Sequence, residues 1–404
     1  MSTPEPNIAA RPVHSMPAAS GPVVLQVLPS LDTGGAERGT VDIAGAVQAD
    51  GGTAIVASEG GPMENELKRI GALHLKMPLA SKNPLVMHRN VSRLARAIES
   101  YGVDLVHARS RAPAWSARAA VRRTGRHFIT TFHAPYNFSN ALKKHYNAVM
   151  ADGERVIAIS EFIAKHVREH YKVDPKTLRV IHRGVDLARF DPDKVSAERM
   201  IQLSTRWRLP DGLPLILMPG RLTRWKGQVV LLEALRHLRD LDYRCVLVGS
   251  DQGRTAYRRE LEALITRNGL AEKVSLLDEC KDMPAAYMLS DVVVSASTDP
   301  EGFGRIVGEA QALGRPVVAS DHGGAREQLV AERTGFLFPV GDAEALAASL
   351  RKALELSPEA RARLHDEAIA RVRQHFSKDQ MCAKTIALYK EVLRAGARAP
   401  GAHP

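Results

Sequence analysis

Apolar positions along this chain fall into two rhythms. Mostly apolar runs such as Val23–Leu28, Thr53–Ser58, Asp104–Ala108 and His127–Phe132 read as strands buried on both faces, as in a helix-covered parallel sheet. Leu73–Met77, Arg155–Ser160 and Leu178–His182 read as further short strands. Between them, the stretch opening near Ala36, Val91–Ser100 and Glu161–Tyr171 carry apolar residues at helical spacing. Strands alternating with helices predict an α/β layer of parallel strands and crossover helices.

The series then repeats. Leu187 to Leu213 holds Asp191-Pro192-Asp193 and Pro210-Asp211-Gly212, which are turn and linker signals. After it come a strand at Pro214–Met218, a helix at Gln228–Arg239, a strand at Tyr243–Val248 and a helix at Tyr257–Asn268. Val274–Leu277, Val292–Ala296, Pro316–Ser320 and Gly335–Phe338 supply later strands, and Pro358–His375 and Lys378–Arg394 are periodic helices. Two such halves predict facing sheets with a cleft between: an N-terminal domain over 22–200 and a C-terminal domain over 201–376.

The length of 404 residues agrees with two cores rather than one. A hydrophobic content of 45% describes a globular chain, and no stretch reaches the roughly 20 apolar residues of a membrane span. Residues 1–21, rich in Pro, Ala and Ser, lack the apolar core of a signal peptide and read as a disordered tail. Cys245, Cys280 and Cys382 are too few and scattered for a disulfide framework or zinc site, so a cytoplasmic location is expected. The net charge of +11 is uneven: Arg89, Arg93, Arg96, Arg109, Arg111, Arg118, Arg122, Arg123 and Arg126 crowd one region, with Lys143 and Lys144 close behind. Such an Arg-rich N-terminal domain suits an anionic membrane surface, or is solvated surface alone. Few aromatic residues and no recognition motif argue against nucleic acid.

Candidate chemistry gathers at strand ends. The run Asp291–Ala296 leads into Ser297-Thr298-Asp299-Pro300-Glu301-Gly302-Phe303-Gly304, and a helix follows through Leu313. A strand end, a glycine turn and a helix N-terminus together collect anions and sugar hydroxyls, and Glu301 and Glu309 bracket them. Gly34-Gly35 lets backbone approach a phosphate, or is a tight strand-to-helix turn. Gly220-Arg221 and Lys226-Gly227 stand where a phosphate loop would, without its Gly-x-x-x-x-Gly-Lys-Ser/Thr pattern. Gly249-Ser250-Asp251-Gln252-Gly253 is not a dinucleotide fingerprint, which disfavours a dehydrogenase. Asp191-Pro192-Asp193 and Asp240-Leu241-Asp242 match a metal-holding pattern that arises readily by chance. His133 follows a strand directly, with His107 and His182 near other strand ends, and each reads more readily as structural than catalytic.

Gly34-Gly35-Ala36-Glu37-Arg38, His133, Ile159-Ser160-Glu161, His182-Arg183-Gly184-Val185-Asp186, Gly220-Arg221, Lys226-Gly227 and Glu301-x₇-Glu309 occur in an order and spacing that resemble one family. From about Val23 to Tyr389 the chain is similar to GT-B glycosyltransferases of retaining family 4. The resemblance implies two Rossmann-like domains, a helix over 377–395 crossing back to the first, and a frayed tail over 396–404. It implies that a nucleoside-diphosphate sugar, with a lean to GDP-mannose, binds the C-terminal domain and that no metal or other cofactor is needed. Glu309 would hold the ribose. Glu301 with Gly302, Phe303 and Gly304 would grip the sugar, Arg221 and Lys226 the diphosphate, and Met283 would lie at the base. Gly34 and Gly35 would approach the diphosphate, and His133 would lie near the anomeric centre, making His133, Arg221, Lys226 and Glu301 the catalytic set. With no second carboxylate evident as a nucleophile, front-face transfer with retention is implied. The expected acceptor is a glycolipid or saccharide such as a lipopolysaccharide core, with the protein peripheral at the inner membrane face. A nucleotide-sugar epimerase and a non-catalytic nucleotide-sugar-binding module are the alternatives.

Overall fold

The computed structural model describes residues 21–32 and 34–397. The tail expected over 1–21 lies outside the described residues except for Gly21. That over 396–404 does so except for 396 and 397, which close the last helix. The chain divides into two compact units: the first runs to Ile159 and adds Ile163–Ile181 and the residues from Cys382 onward, and the second comprises Ser160–Phe162 and His182–Met381.

In the first unit, strands and helices alternate as β1 (Val23–Val27), α1 (Gly35–Ala49), β2 (Thr53–Ser58), α2 (Glu64–Arg69), β3 (Leu73–Lys76), α3 (Pro84–Ser100) and β4 (Leu105–Ala108). The series continues with α4 (Arg111–Thr124), β5 (His127–Phe132), α5 (Ala141–Ala148), β6 (Arg155–Ala158), α6 (Glu161–Tyr171) and β7 (Leu178–Val180). The strands form one parallel seven-stranded sheet in the order β3-β2-β1-β4-β5-β6-β7. Its order reverses between β1 and β4, the position where open α/β sheets place ligands.

Helix α4 was hidden in the arginine-rich stretch. It buries Ala114, Ala117, Ala120 and Val121 and turns its charges outward. In consequence the arginines do not make one patch. Arg109 is buried, Arg111 donates to Asn147 at 2.9 Å and covers the Tyr136 ring, and Arg118 pairs with Asp152 over Trp115. Arg89, Arg96, Arg122, Arg123 and Arg126 are exposed, with Arg122 roughly 17 Å along the helix axis from Arg111 at 1.5 Å per residue.

The second unit holds α7 (Ala197–Trp207), β8 (Leu215–Pro219), α8 (Gln228–Ala234), β9 (Arg244–Val248), α9 (Thr255–Arg267), β10 (Val274–Leu277), α10 (Met283–Leu289) and β11 (Val292–Ser295). It goes on through α11 (Arg305–Ala312), β12 (Val317–Ser320), α12 (Ala325–Gln328), β13 (Phe336–Phe338), α13 (Ala343–Leu354) and α14 (Pro358–His375). Its six parallel strands run β10-β9-β8-β11-β12-β13 and reverse between β8 and β11. Two expectations are corrected. The linker between Leu187 and Leu213 contains α7, where Ser196 caps the helix and Leu203 and Trp207 are buried. The helix expected to reach Arg239 ends at Ala234 and tightens into a 3₁₀ turn at Leu235–Leu238, whose two leucines eclipse and bury together. Among the described residues, no helix is long and apolar enough to cross a membrane.

The final helix α15 (Lys378–Ala397) starts in the second unit and belongs to the first from Cys382. His107 fastens it there. The ring is fully buried, with Nδ1 2.7 Å from the Tyr389 hydroxyl and Nε2 2.7 Å from the Thr131 hydroxyl. Burial, with nearby Arg109, holds its pKa well below the usual histidine value. An unfolded chain therefore takes up a proton below about pH 6.5 that the folded one refuses, and stability falls as pH drops through that value. Between pH 7.5 and 5.5, urea unfolding should register a loss of about 1 kcal/mol from this residue. His107→Gln, which keeps two polar atoms but does not titrate, should flatten that part of the slope. An unchanged slope would show that His107 is not its source.

Candidate active site

At the end of β11 the chain turns through Pro300 to Gly304, and Gly304 adopts φ 82° as the cap of α11. A side chain strains in that left-handed region, so glycine is the residue that fits. Gln328 holds the turn: its amide donates to the carbonyls of Phe303 at 2.5 Å and of Gly304 and Gly324 at 3.2 Å. Ser160 donates to the Gly302 carbonyl at 2.6 Å, and Gly324 N–H donates to the Glu301 carbonyl at 3.0 Å.

Glu301 points back to Lys226. Their Oε1 and Nζ lie 2.8 Å apart, Ser297 donates to the same oxygen at 2.6 Å, and the two side chains are 18% and 11% exposed. Burial drives the Glu301 carboxyl up, but Lys226, Ser297 and His322 outweigh it and leave it below the usual carboxylate range. Lys226 also stands over the Trp225 ring. Its loop is pressed against β11: Gly227 has φ 78°, and a Cβ there would collide with the Ala296 carbonyl. Arg221 opens the same loop as an exposed side chain.

Glu309 behaves differently. It lies in α11, where buried Tyr287 donates to Oε2 at 3.0 Å and Arg305 stands 3.9 Å from Oε1. Burial leaves its carboxyl above the usual range, with Arg305 and Tyr287 offsetting only part. Burial and the adjacent carboxylate raise the Tyr287 hydroxyl well above its ordinary value and keep it a donor. Met283 begins α10, with Asp282 as its cap, and Arg199 grips that aspartate through two bonds of 2.8 and 2.6 Å.

The structure thus brings Lys226, Glu301, Gly302, Phe303 and Gly304 together in the second unit. Gly34, Gly35 and His133 belong to the first, at the start of α1 and directly after β5. Tyr287, His322 and Gln328 escaped the sequence reading, and Ser297 was named there only as part of the turn. Asp321-His322-Gly323-Gly324 after β12 carried a usable signal, a glycine pair at a strand end like Gly34-Gly35. The two aspartate patterns set aside as chance matches have structural partners: Asp191 caps a turn and pairs with Lys194, and Asp240 pairs with Arg351. His182 bonds Glu327 at 3.1 Å, and that carboxylate also accepts the Glu161 and Phe162 N–H groups.

Two family models match the chain, Glycosyltransferase Family 4 over residues 33–189 and Glycosyl transferases group 1 over residues 201–371. The crystal structure of a glycosyltransferase from Rickettsia africae ESF-5 agrees with a TM-score of 0.87 at 38% identity, covering 93% of this chain and 99% of that one. The chain belongs to glycosyltransferase family 4. This family 4 chain also shares the GT-B fold with Anabaena Alr3699/HepE in complex with UDP-glucose, at a TM-score of 0.80 and 25% identity over 91% and 99% of the two chains. A D-inositol 3-phosphate glycosyltransferase from Xylanimonas cellulosilytica is 35% identical over 251 residues, 60% of this chain and 59% of the relative's length.

Removing one half of a buried ion pair strands the other. Lys226→Ala should therefore cost about 3–5 kcal/mol in urea unfolding. Adding Glu301→Gln should recover most of that loss. A single variant as stable as the parent would show that the two charges are not coupled.

Proposed function

We propose that this chain transfers a sugar from a nucleoside-diphosphate sugar to an acceptor with retention of configuration. The observation that carries the reading is the buried Lys226–Glu301 pair beside a glycine-capped helix start. A departing nucleoside diphosphate develops negative charge. A fixed cation and backbone N–H groups stabilise it, each preorganised donor being worth ~3–4 kcal/mol in a transition state. Lys226 and Arg221 serve the diphosphate, Glu301 with the Gly302–Gly304 turn serves the sugar hydroxyls, and Glu309 serves the ribose. The base lies by Met283, where the Arg199–Asp282 pair steadies the start of α10. For Gly34, Gly35 and His133 of the first unit, the resemblance to the family implies roles toward the same donor. The leaving phosphate accepts the acceptor's proton in a front-face, metal-independent transfer.

A lipid-borne acceptor at a cytoplasmic membrane face is supported by exposed apolar side chains beside cations. Leu85 on α3 is 72% exposed with Arg89 nearby, and Leu142 on α5 is 82% exposed beside Lys143 and Lys144. Both helices pack on α4, through Ser116 to the Met87 carbonyl and Trp115 to the Tyr146 carbonyl. Such pairs of apolar and basic side chains suit an anionic bilayer.

The test is sugar release from a panel of GDP- and UDP-sugars, GDP-mannose and UDP-glucose among them. The acceptors are membrane glycolipid extract and D-inositol 3-phosphate. Acceptor-dependent release with a retained anomer is expected, and His133→Ala should slow it at least about tenfold. Release of an epimerised nucleotide sugar without acceptor would overturn the reading. Glu309→Gln should weaken nucleotide binding while raising the thermal midpoint by about 2–4 °C, because it relieves a buried charge. A lowered midpoint would contradict that account of Glu309.

A further inference from the structure

Tyrosines packed elsewhere in this chain give their hydroxyls to neutral partners. Tyr243 donates to the Leu235 carbonyl at 3.3 Å, Tyr171 to the Tyr136 carbonyl at 3.1 Å and Tyr257 to the Gln228 amide oxygen at 3.2 Å. Tyr287 does not. It is 1% exposed, and its hydroxyl donates to Glu309 Oε2 at 3.0 Å. A backbone carbonyl would satisfy a buried hydroxyl at less cost. A carboxylate drawn against a buried ring gives up hydration that one hydrogen bond does not return.

The hydroxyl has a fixed aim. Its ring stands beside buried Phe190, with centroids 6.1 Å apart. Tyr287 also lies one turn past Met283 on α10, whose start the Arg199–Asp282 pair holds. On α11 the Glu309 side chain is 17% exposed, and Tyr287 is its one hydrogen-bond partner among the described residues. Arg305, 3.9 Å from Oε1, is beyond hydrogen-bonding distance and 41% exposed. Burial raises the Glu309 carboxyl, and Arg305 and then the Tyr287 bond oppose that rise. An ionised carboxylate offers about four acceptor positions, so most of them are left for a ligand. Hydroxyls fill such positions without bringing a second charge, and a vicinal diol matches the two oxygens of one carboxylate.

We propose that Tyr287 is a positioning residue that holds the Glu309 carboxylate in one orientation for a vicinal diol, and so restricts the donor to ribonucleotides over 2′-deoxyribonucleotides. This rests on the reading that Glu309 serves the ribose, and it adds the residue that makes that contact selective. Tyr287 touches the carboxylate and not the ligand. Its contribution is to fix the acceptor before binding, which removes an ordering cost from the bound state. Because Met283 and Tyr287 share α10, one helix ties the place of the base to the place of the sugar in the same nucleoside.

Calorimetric titration of the full chain with UDP and 2′-deoxy-UDP, and again with GDP and 2′-deoxy-GDP, tests it. The parent should bind the ribonucleotide more tightly on the order of tenfold to a hundredfold, as expected for a hydrogen bond to a charged group. Tyr287→Phe, which keeps the ring and removes the donor, should cut that preference severalfold and leave the 2′-deoxynucleotide affinity unchanged. Besides Tyr287, the groups acting on Glu309 are Arg305 of its own helix and Arg189 of the segment before α7. Without the tyrosine donor the carboxyl takes up its proton sooner, so on acidification Tyr287→Phe should lose its remaining preference at a higher pH than the parent. Glu309→Gln should also lower the preference, and adding Tyr287→Phe to it should lower it no further. That double variant strands no buried charge and keeps the comparison open should the single one unfold. An undiminished preference in Tyr287→Phe would overturn the proposal. So would equal losses of ribo- and deoxynucleotide, or a further drop in the double variant. A parent that binds both kinds equally would instead overturn the ribose role of Glu309, and this inference with it.

Discussion

The buried pair between Lys226 and Glu301 is the constraint on which the rest of the candidate site depends. A carboxylate and an ammonium this enclosed are tolerable only when held at bonding distance with further hydrogen bonds. Ser297 and the Gln328-clamped turn supply that rigidity. The cation is thereby fixed before any ligand arrives, which is what electrostatic stabilisation of a leaving group requires. The same glycine-capped turn sets the start of α11 and so the place of Glu309 on it.

Buried ionisable groups recur where strands end, and each is handled differently. Glu301 is held charged by a cation, Glu309 is raised by burial beside a tyrosine donor, and His107 is kept neutral between two hydroxyls. Arg109 makes no ion pair within 4 Å among the described residues, and burial lowers its pKa with Tyr389, Asp42, Cys382 and Glu37 offsetting only part. A parallel sheet makes this pattern natural, because its carboxyl edge is where loops meet helix N-termini and where low dielectric meets unpaired backbone groups. His107 bonds Tyr389 and Thr131 at 2.7 Å each, so it anchors the terminal helix to the first unit's sheet. Arg109 has no comparable bond, although it lies two residues further along.

Much of the architecture was legible because burial on both faces leaves a direct trace in sequence. Val292–Ser295 and Thr53–Ser58 are strands wherever they are read, since only a covered parallel sheet hides whole apolar runs. Helix α4 was not legible, because its apolar face is mostly alanine and its arginines dominated the reading. Helix α7 was masked by turn residues on both sides.

The order of the strands, the glycine breaks at strand ends and the spacing of Glu301 and Glu309 were determined by the sequence alone, because each follows from local periodicity and backbone freedom. Which charges meet was decided only by the tertiary structure. Nothing in the spacing between Lys226 and Glu301, or between His107 and Tyr389, announces a contact. Lys226 and Glu301 follow different strands, and His107 and Tyr389 belong to a strand and the terminal helix, so desolvation and pairing are properties of the packed neighbourhood rather than of the residue. For the same reason one arginine among nine in a single stretch became a buried charge, while its neighbours remained at the surface or found partners.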